Sequence, residues 1–401
     1  MAEGINSASI DRLLRGATET GRVPGVVAAA ATDAGEVYAG AFGRRALPDG
    51  APMTRDTIFW IASMTKALTS VAAMQQVEQG RLVLDAPIGA ILPALAKPQV
   101  LDGVDASGAP RLRPAAGPVT LRQLLTHTAG YGYDTWNPEL ARALPQLDLT
   151  RMPRNPDELA RFPLLFDPGT RWNYGINTDL VGLAVEAASG QRLDAYLRDH
   201  VLTPLGMHDT AFDLTAAQRA RLTQVHARRA DGSLEPIEWP VGTAPGYCMG
   251  GGGLCSTARD YLRFLRMLLG GGALDGARIL APETVAEMGR NHIGALTVGP
   301  LRSGDPTRSN DVELFPGMAK QWGLGFLINT ETAPSGRSAG ALAWAGLGNT
   351  YYWIDPTRRV VGVILTQILP FGDRESLSLL DGFESEVYAG VKPAQSVSRS
   401  D

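Results

Sequence analysis

The chain is poor in cysteine, lysine and histidine, and each shortage excludes something. Two cysteines in 401 residues, Cys248 and Cys255, rule out a disulfide-stapled scaffold. They bracket a glycine run with no redox or zinc spacing, so the sequence favours reduced thiols. Five histidines (His127, His200, His208, His226, His292) show no metal-ligand spacing, and no metal or cofactor is expected. A net charge of -4 gives no basis for a nucleic-acid or anionic-membrane partner. No apolar run approaches the length of a membrane span. The start, Met1-Ala2-Glu3-Gly4-Ile5-Asn6, lacks a basic segment followed by an apolar one, so a cytoplasmic location is expected. Nothing in the sequence sets an oligomeric state.

Lysine is the most telling shortage. Only Lys66, Lys97, Lys320 and Lys392 occur, and arginine supplies nearly every other cation. Arginine does not give up its proton, so a lysine retained at a special place suggests that deprotonation matters there. That place is Ser63-Met64-Thr65-Lys66. The run Thr57 to Ala62 is rich in strand formers. From Ser63 a helical pattern begins, with Met64, Ala67, Leu68, Val71, Ala72, Met74 and Val77, and it stops at Gly80. Lys66 then lies one turn after Ser63 on the same face. A neutral lysine within reach of a hydroxyl can activate it as a nucleophile. The helix dipole penalises an ammonium there, and first-turn N–H groups can hold an oxyanion. An N-capping serine beside a snorkelling lysine is the plainer reading of the same four residues.

Further along, Arg171-Trp172-Asn173-Tyr174 sits on a polar turn just before a helix, and Tyr174 is a candidate proton relay. A half-buried core tyrosine is the plainer alternative. Trp344-Ala345-Gly346 closes a strand whose edge N–H can complete an oxyanion hole. Gly336-Arg337-Ser338-Ala339-Gly340 matches a nucleophile elbow. It lacks the preceding strand and any later histidine, so it is rejected. The Gly250 to Gly253 run reads as a tight turn before a helix.

Strand patterns lie near both ends: 26–32 and 37–42, then 323–329, 341–345, 350–354 and 360–367. Helices are predicted at 9–20, 177–188, 193–202, 215–221, 257–270, 282–289 and 374–388. Thr120-Leu121-Arg122-Gln123 has the form of a capping box. Residues 96–118 read as a turn-rich excursion, and 131–172 as an irregular wall. The expected organisation is an α/β lobe from residues 1–95 and 295–392, a mostly helical lobe over 96–294, and a tail at 393–401.

Together these pieces resemble the serine β-lactamase and penicillin-binding-protein superfamily, closest to its class C-like branch and the family VIII carboxylesterases. The likeness rests on Ile61 to Lys66, Gln123 to Gly130, Trp172 to Gly175, Gly251 to Asp260 and Trp344 to Gly346, in that order along nearly the whole chain. It implies a β-lactamase-like fold: an antiparallel sheet flanked by terminal helices with an inserted, mostly helical lobe. It implies that Ser63 is the acylated nucleophile, that Lys66 and Tyr174 activate it, and that the N–H groups of Ser63 and Leu347 form the oxyanion hole. Which of Lys66 and Tyr174 accepts the proton stays open. Trp344, Ala345 and Gly346 would bind substrate. Two departures stand out: Trp344 replaces the lysine of the usual Lys-Thr-Gly, and Ile176 replaces the asparagine of Tyr-x-Asn, with Asn177 one place late. Both favour a neutral, short-acyl ester over an anionic β-lactam, with some cephalosporin hydrolysis as a side activity. The alternatives are a true β-lactamase or D-Ala-D-Ala peptidase, an acyltransferase, and a catalytically silent binding protein.

Overall fold

The computed structural model describes residues 4–107, 109–151, 153, 155–241 and 247–391. The expected tail at 393–401 lies outside them. A seven-stranded antiparallel sheet organises the chain. Its strands are β1 (Gly25–Thr32), β2 (Gly35–Gly43), β3 (Lys320–Trp322), β4 (Leu327–Asn329), β5 (Leu342–Gly346), β6 (Thr350–Asp355) and β7 (Val360–Leu365). The spatial order is β3-β4-β5-β6-β7-β1-β2, so both ends of the chain build one sheet. β1 pairs with β7, Val27 opposite Leu365 and Thr32 opposite Val360.

Alternation of side chains explains why both sheet faces are covered. Val26, Ala28 and Ala30 of β1 join one core with Ile10, Leu14 and Ala17 of helix α1 (Ser7–Glu19). Leu379, Leu380, Phe383 and Val387 of the C-terminal helix Arg374–Gly390 pack in that core too. Val27, Ala29 and Ala31 point the other way, into the larger core with helices α2 (Thr65–Glu78) and α4 (Ala258–Leu269). Helix α3 (Asn177–Ser189) packs on α2, whereas α4, from the same intervening segment, packs on β1, β6 and β7.

Several elements differ from the sequence reading. Ser63 lies in a 3₁₀ turn, Ala62–Met64, and the α-helix proper begins at Thr65. The single strand expected at 323–329 is a hairpin of β3 and β4 around Gly325, whose φ is +102°. Residues 96–118 contain an antiparallel ribbon, Gln99–Val104 with Pro110–Pro114. The Thr120/Gln123 capping box forms as read. Cys248 and Cys255 are buried thiols, the latter pushed up to about 12 by burial. Among the described residues no helix is long and apolar enough to cross a membrane.

Candidate active site

The Ser63 turn is held from several sides. The two-residue strand Phe59–Trp60 pairs with Cys255–Ser256. Ile61 N–H donates to the Leu254 carbonyl at 3.1 Å, and the Tyr261 hydroxyl donates to the Met64 carbonyl at 2.9 Å. This clamp keeps Ala62, a non-glycine residue, at φ +44°. Such a conformation costs about 1–3 kcal/mol and persists only when its surroundings impose it. Here it directs Ser63 to the floor of a pocket.

Lys66, 1% exposed, places its Nζ 3.1 Å from Ser63 Oγ. Nζ also lies 3.1 Å from the Tyr133 hydroxyl and 2.6 Å from the Gly251 carbonyl oxygen. A neutral amine has two N–H donors and one lone pair. In that form, donating to the Gly251 and Tyr133 oxygens would leave the lone pair for Ser63 Oγ. The Gly250 to Gly253 turn thus belongs to the site. Gly251 N–H donates to Asp179 Oδ1 at 3.0 Å, and a Cβ on Gly251 would stand 2.5 Å from Asp179 Oδ2. Burial holds the Asp179 carboxyl above its usual range, with nearby Lys66 opposing the shift. Burial likewise pushes the Tyr133 phenol up, aided by the negative charge of Asp179.

Tyr174 comes to the same place with a different orientation. Its ring centre is 4.8 Å from Lys66 Nζ, and its hydroxyl accepts a hydrogen bond from the Trp344 indole N–H at 3.2 Å. Trp344 is 7% exposed and packs on Tyr174 and Trp322, at ring separations of 4.9 and 4.6 Å. Strand alternation sends Ala343 and Ala345 to the far core and Trp344 toward the helices. Trp344 therefore stands behind Tyr174, and it is absent from the described lining of the Ser63 pocket, as are Ala345 and Gly346. Gly346 packs on the nucleophile turn instead: a Cβ there would lie 2.3 Å from the Ile61 carbonyl oxygen. Leu347, one residue on, does line the pocket with Ser63.

The pocket encloses about 210 Å³. Its aromatic walls are Trp60, Trp136 and Trp239, which the sequence reading did not join, with Ile176 and Met249 beside them. Trp60 is fixed by its indole N–H donating to the Gly252 carbonyl at 2.8 Å. Asn177 points away from the site, its amide 2.9 Å from His127 Nδ1. His127, at φ +58°, sits between Tyr174 and Trp322, and burial drives its pKa well down, with Lys66 adding to the effect. Tyr133 was also missed. Its signal was local: Gly130-Tyr131-Gly132-Tyr133 continues directly from the Gln123 to Gly130 stretch. The Ser338 decoy lies in the turn before β5, where its N–H donates to Asp355.

Known proteins share this fold and its family. A family model described as Beta-lactamase matches residues 10–382. The lovastatin esterase of Penicillium rubens is 32% identical over 394 residues, covering 94% of this chain and 98% of that protein. Among solved structures, the LovD6 mutant of simvastatin synthase from Aspergillus terreus superposes with a TM-score of 0.83. It is 31% identical, and the match covers 95% of this chain and 96% of that one. EstCE1, described as a hydrolase with promiscuous acyltransferase activity, gives a TM-score of 0.76 at 26% identity, covering 95% and 98%. Fold, motif order and family match coincide along the chain: it belongs to the beta-lactamase family, within the serine β-lactamase and penicillin-binding-protein superfamily.

Proposed function

We propose that this protein is a serine carboxylesterase that cleaves short-acyl esters through a covalent acyl-enzyme. The observation that carries the reading is Ser63 Oγ, 3.1 Å from Lys66 Nζ, at the floor of a pocket walled by three tryptophans. Ser63 attacks the ester carbonyl while its proton passes to Lys66. The N–H groups of Ser63 and Leu347 receive the oxyanion. Collapse expels the alkoxide, which takes the proton from Lys66, and Tyr133 steadies the ammonium in between. Water, activated by the same amine, then releases the acid. Tyr174 supports Lys66 through its ring, with its hydroxyl tied to Trp344.

Tryptophan at 344 supports an ester over a β-lactam, because no lysine stands on that strand for a β-lactam carboxylate. An alcohol in place of water would make the same enzyme an acyltransferase. That second reading is favoured by the aromatic pocket and by the hydrolase and transferase activities named for EstCE1. The test is turnover of 4-nitrophenyl butyrate and nitrocefin by the wild type and Ser63→Ala, with and without added alcohols. Ester turnover exceeding nitrocefin turnover and lost in Ser63→Ala is expected. Nitrocefin as the better substrate would move the assignment to β-lactamase. Butyryl transfer outpacing hydrolysis would move it to acyltransferase.

A further inference from the structure

The Ser63 pocket holds a cation that the motifs gave no reason to expect. Arg151 and Arg308 both line it. Arg151 is committed: Nε lies 2.8 Å from Asp134 Oδ2, and Nη1 lies 2.7 Å from Asp305 Oδ2. Arg308 is not. Its nearest acid oxygen is the same Asp305 Oδ2, 3.7 Å from Nε. That aspartate already accepts from Arg151, and through its other oxygen from the Thr307 hydroxyl and N–H. Among the described residues no hydrogen bond from the Arg308 guanidinium is present. The group instead lies 5.8 Å from the centre of the Trp239 ring, itself a pocket wall, with 25% of the side chain exposed. A guanidinium near an aromatic face, with no hydrogen bond of its own, keeps its N–H donors for a planar oxyanion.

We propose that Arg308 binds a carboxylate on the ester that reacts at Ser63, so that the preferred substrates are half-esters of diacids or esters of hydroxy acids. Arg308 brings its charge from the 296–320 segment beside Trp239, not from β5, where a β-lactam carboxylate would be met by the family's lysine.

The inference rests on the esterase reading of this pocket, but its test does not need turnover. Ser63→Ala protein is titrated calorimetrically with 4-butyryloxybenzoate and with its methyl ester, which differ only by the charge. Tighter binding of the anion is expected. Adding Arg308→Gln should shrink the anion-to-methyl-ester affinity ratio about tenfold or more, the scale of a charged hydrogen-bonded pair. Arg308→Lys, which keeps charge but loses the fork, should fall between. Salt titration of Ser63→Ala alone gives a reading independent of any second variant: anion affinity should drop with ionic strength while methyl-ester affinity holds. The idea is overturned by no saturable binding of the anion, by equal effects of Arg308→Gln on both compounds, or by affinity insensitive to salt. Wild-type hydrolysis of the methyl ester with an unchanged ratio would leave the esterase reading standing and remove Arg308 alone.

Discussion

Gly346→Ala isolates the link between backbone packing and chemistry. The added Cβ would stand 2.3 Å from the Ile61 carbonyl oxygen and 2.3 Å from Thr350 Oγ1. The threonine hydroxyl can rotate away, but the carbonyl belongs to the residue that begins the Ser63 turn. Ordinary contact starts near 3.4 Å, so the turn or the strand must yield by about 1 Å. A displacement of that size at a nucleophile costs about 100-fold in rate, or about 2.7 kcal/mol of barrier. The control is Gly362→Ala on β7, whose Cβ would lie 2.2 Å from the Trp353 ring, in the core on the far face of the sheet. Overpacking there costs about 1–3 kcal/mol of stability and leaves Ser63 undisturbed. The assay is kcat/KM on 4-nitrophenyl butyrate with thermal melts of both variants. Expected are lowered Tm for each and a large rate loss only for Gly346→Ala. Full activity in Gly346→Ala, or equal rate losses in both, would refute the reasoning.

Other outcomes follow from the site. Lys66→Arg replaces the amine by a guanidinium that does not give up its proton, so kcat should fall about 10²–10⁴-fold with little change in KM. A rate near wild type would show that Lys66 is no base. Tyr133→Phe removes the hydroxyl that Lys66 Nζ reaches at 3.1 Å. Its contribution grows as the amine becomes an ammonium, so kcat should drop about 10- to 150-fold, read from single-turnover acylation. Stability should fall with acid through His127, whose folded pKa is depressed by burial. The unfolded chain then binds a proton that the folded one refuses, so this contribution is complete above about pH 6.5 and shrinks by up to about 1.4 kcal/mol per unit below it. Urea melts of wild type and His127→Asn across pH 5–8 check this, and parallel pH slopes would contradict it.

What the sequence disclosed was local. Periodicity gave α1, α3, α4, the C-terminal helix and most strands, because each carries its own apolar pattern. The Ser63 and Lys66 pair was legible because one helical turn joins them. Tyr133 closely follows the Gln123 to Gly130 stretch, yet no spacing rule ties it to Lys66, 67 residues away, so its role was not read. Trp60, Trp136 and Trp239 arrive from three separate segments, so no window of sequence holds the pocket wall. Trp344 is the instructive case. Alternation along β5 puts it opposite Ala343 and Ala345, and the packed cores show that its face is the one toward the helices. The motif comparison identified the position, whereas its direction follows from the strand. The ribbon of Gln99–Val104 with Pro110–Pro114 escaped because Gly103 and Pro110 read as breakers, yet Gly103 sits in its irregular register and Pro110 is paired with Val104.

The most direct test is to trap the acyl-enzyme and find its position. Wild-type protein is quenched in acid during turnover of 4-nitrophenyl butyrate, digested, and its peptides are weighed. A butyryl increment on the peptide bearing Ser63, absent from Ser63→Ala, is the expected result. Butyrylation at another residue such as Ser338, or turnover that persists in Ser63→Ala, would contradict the assignment of Ser63 as the nucleophile.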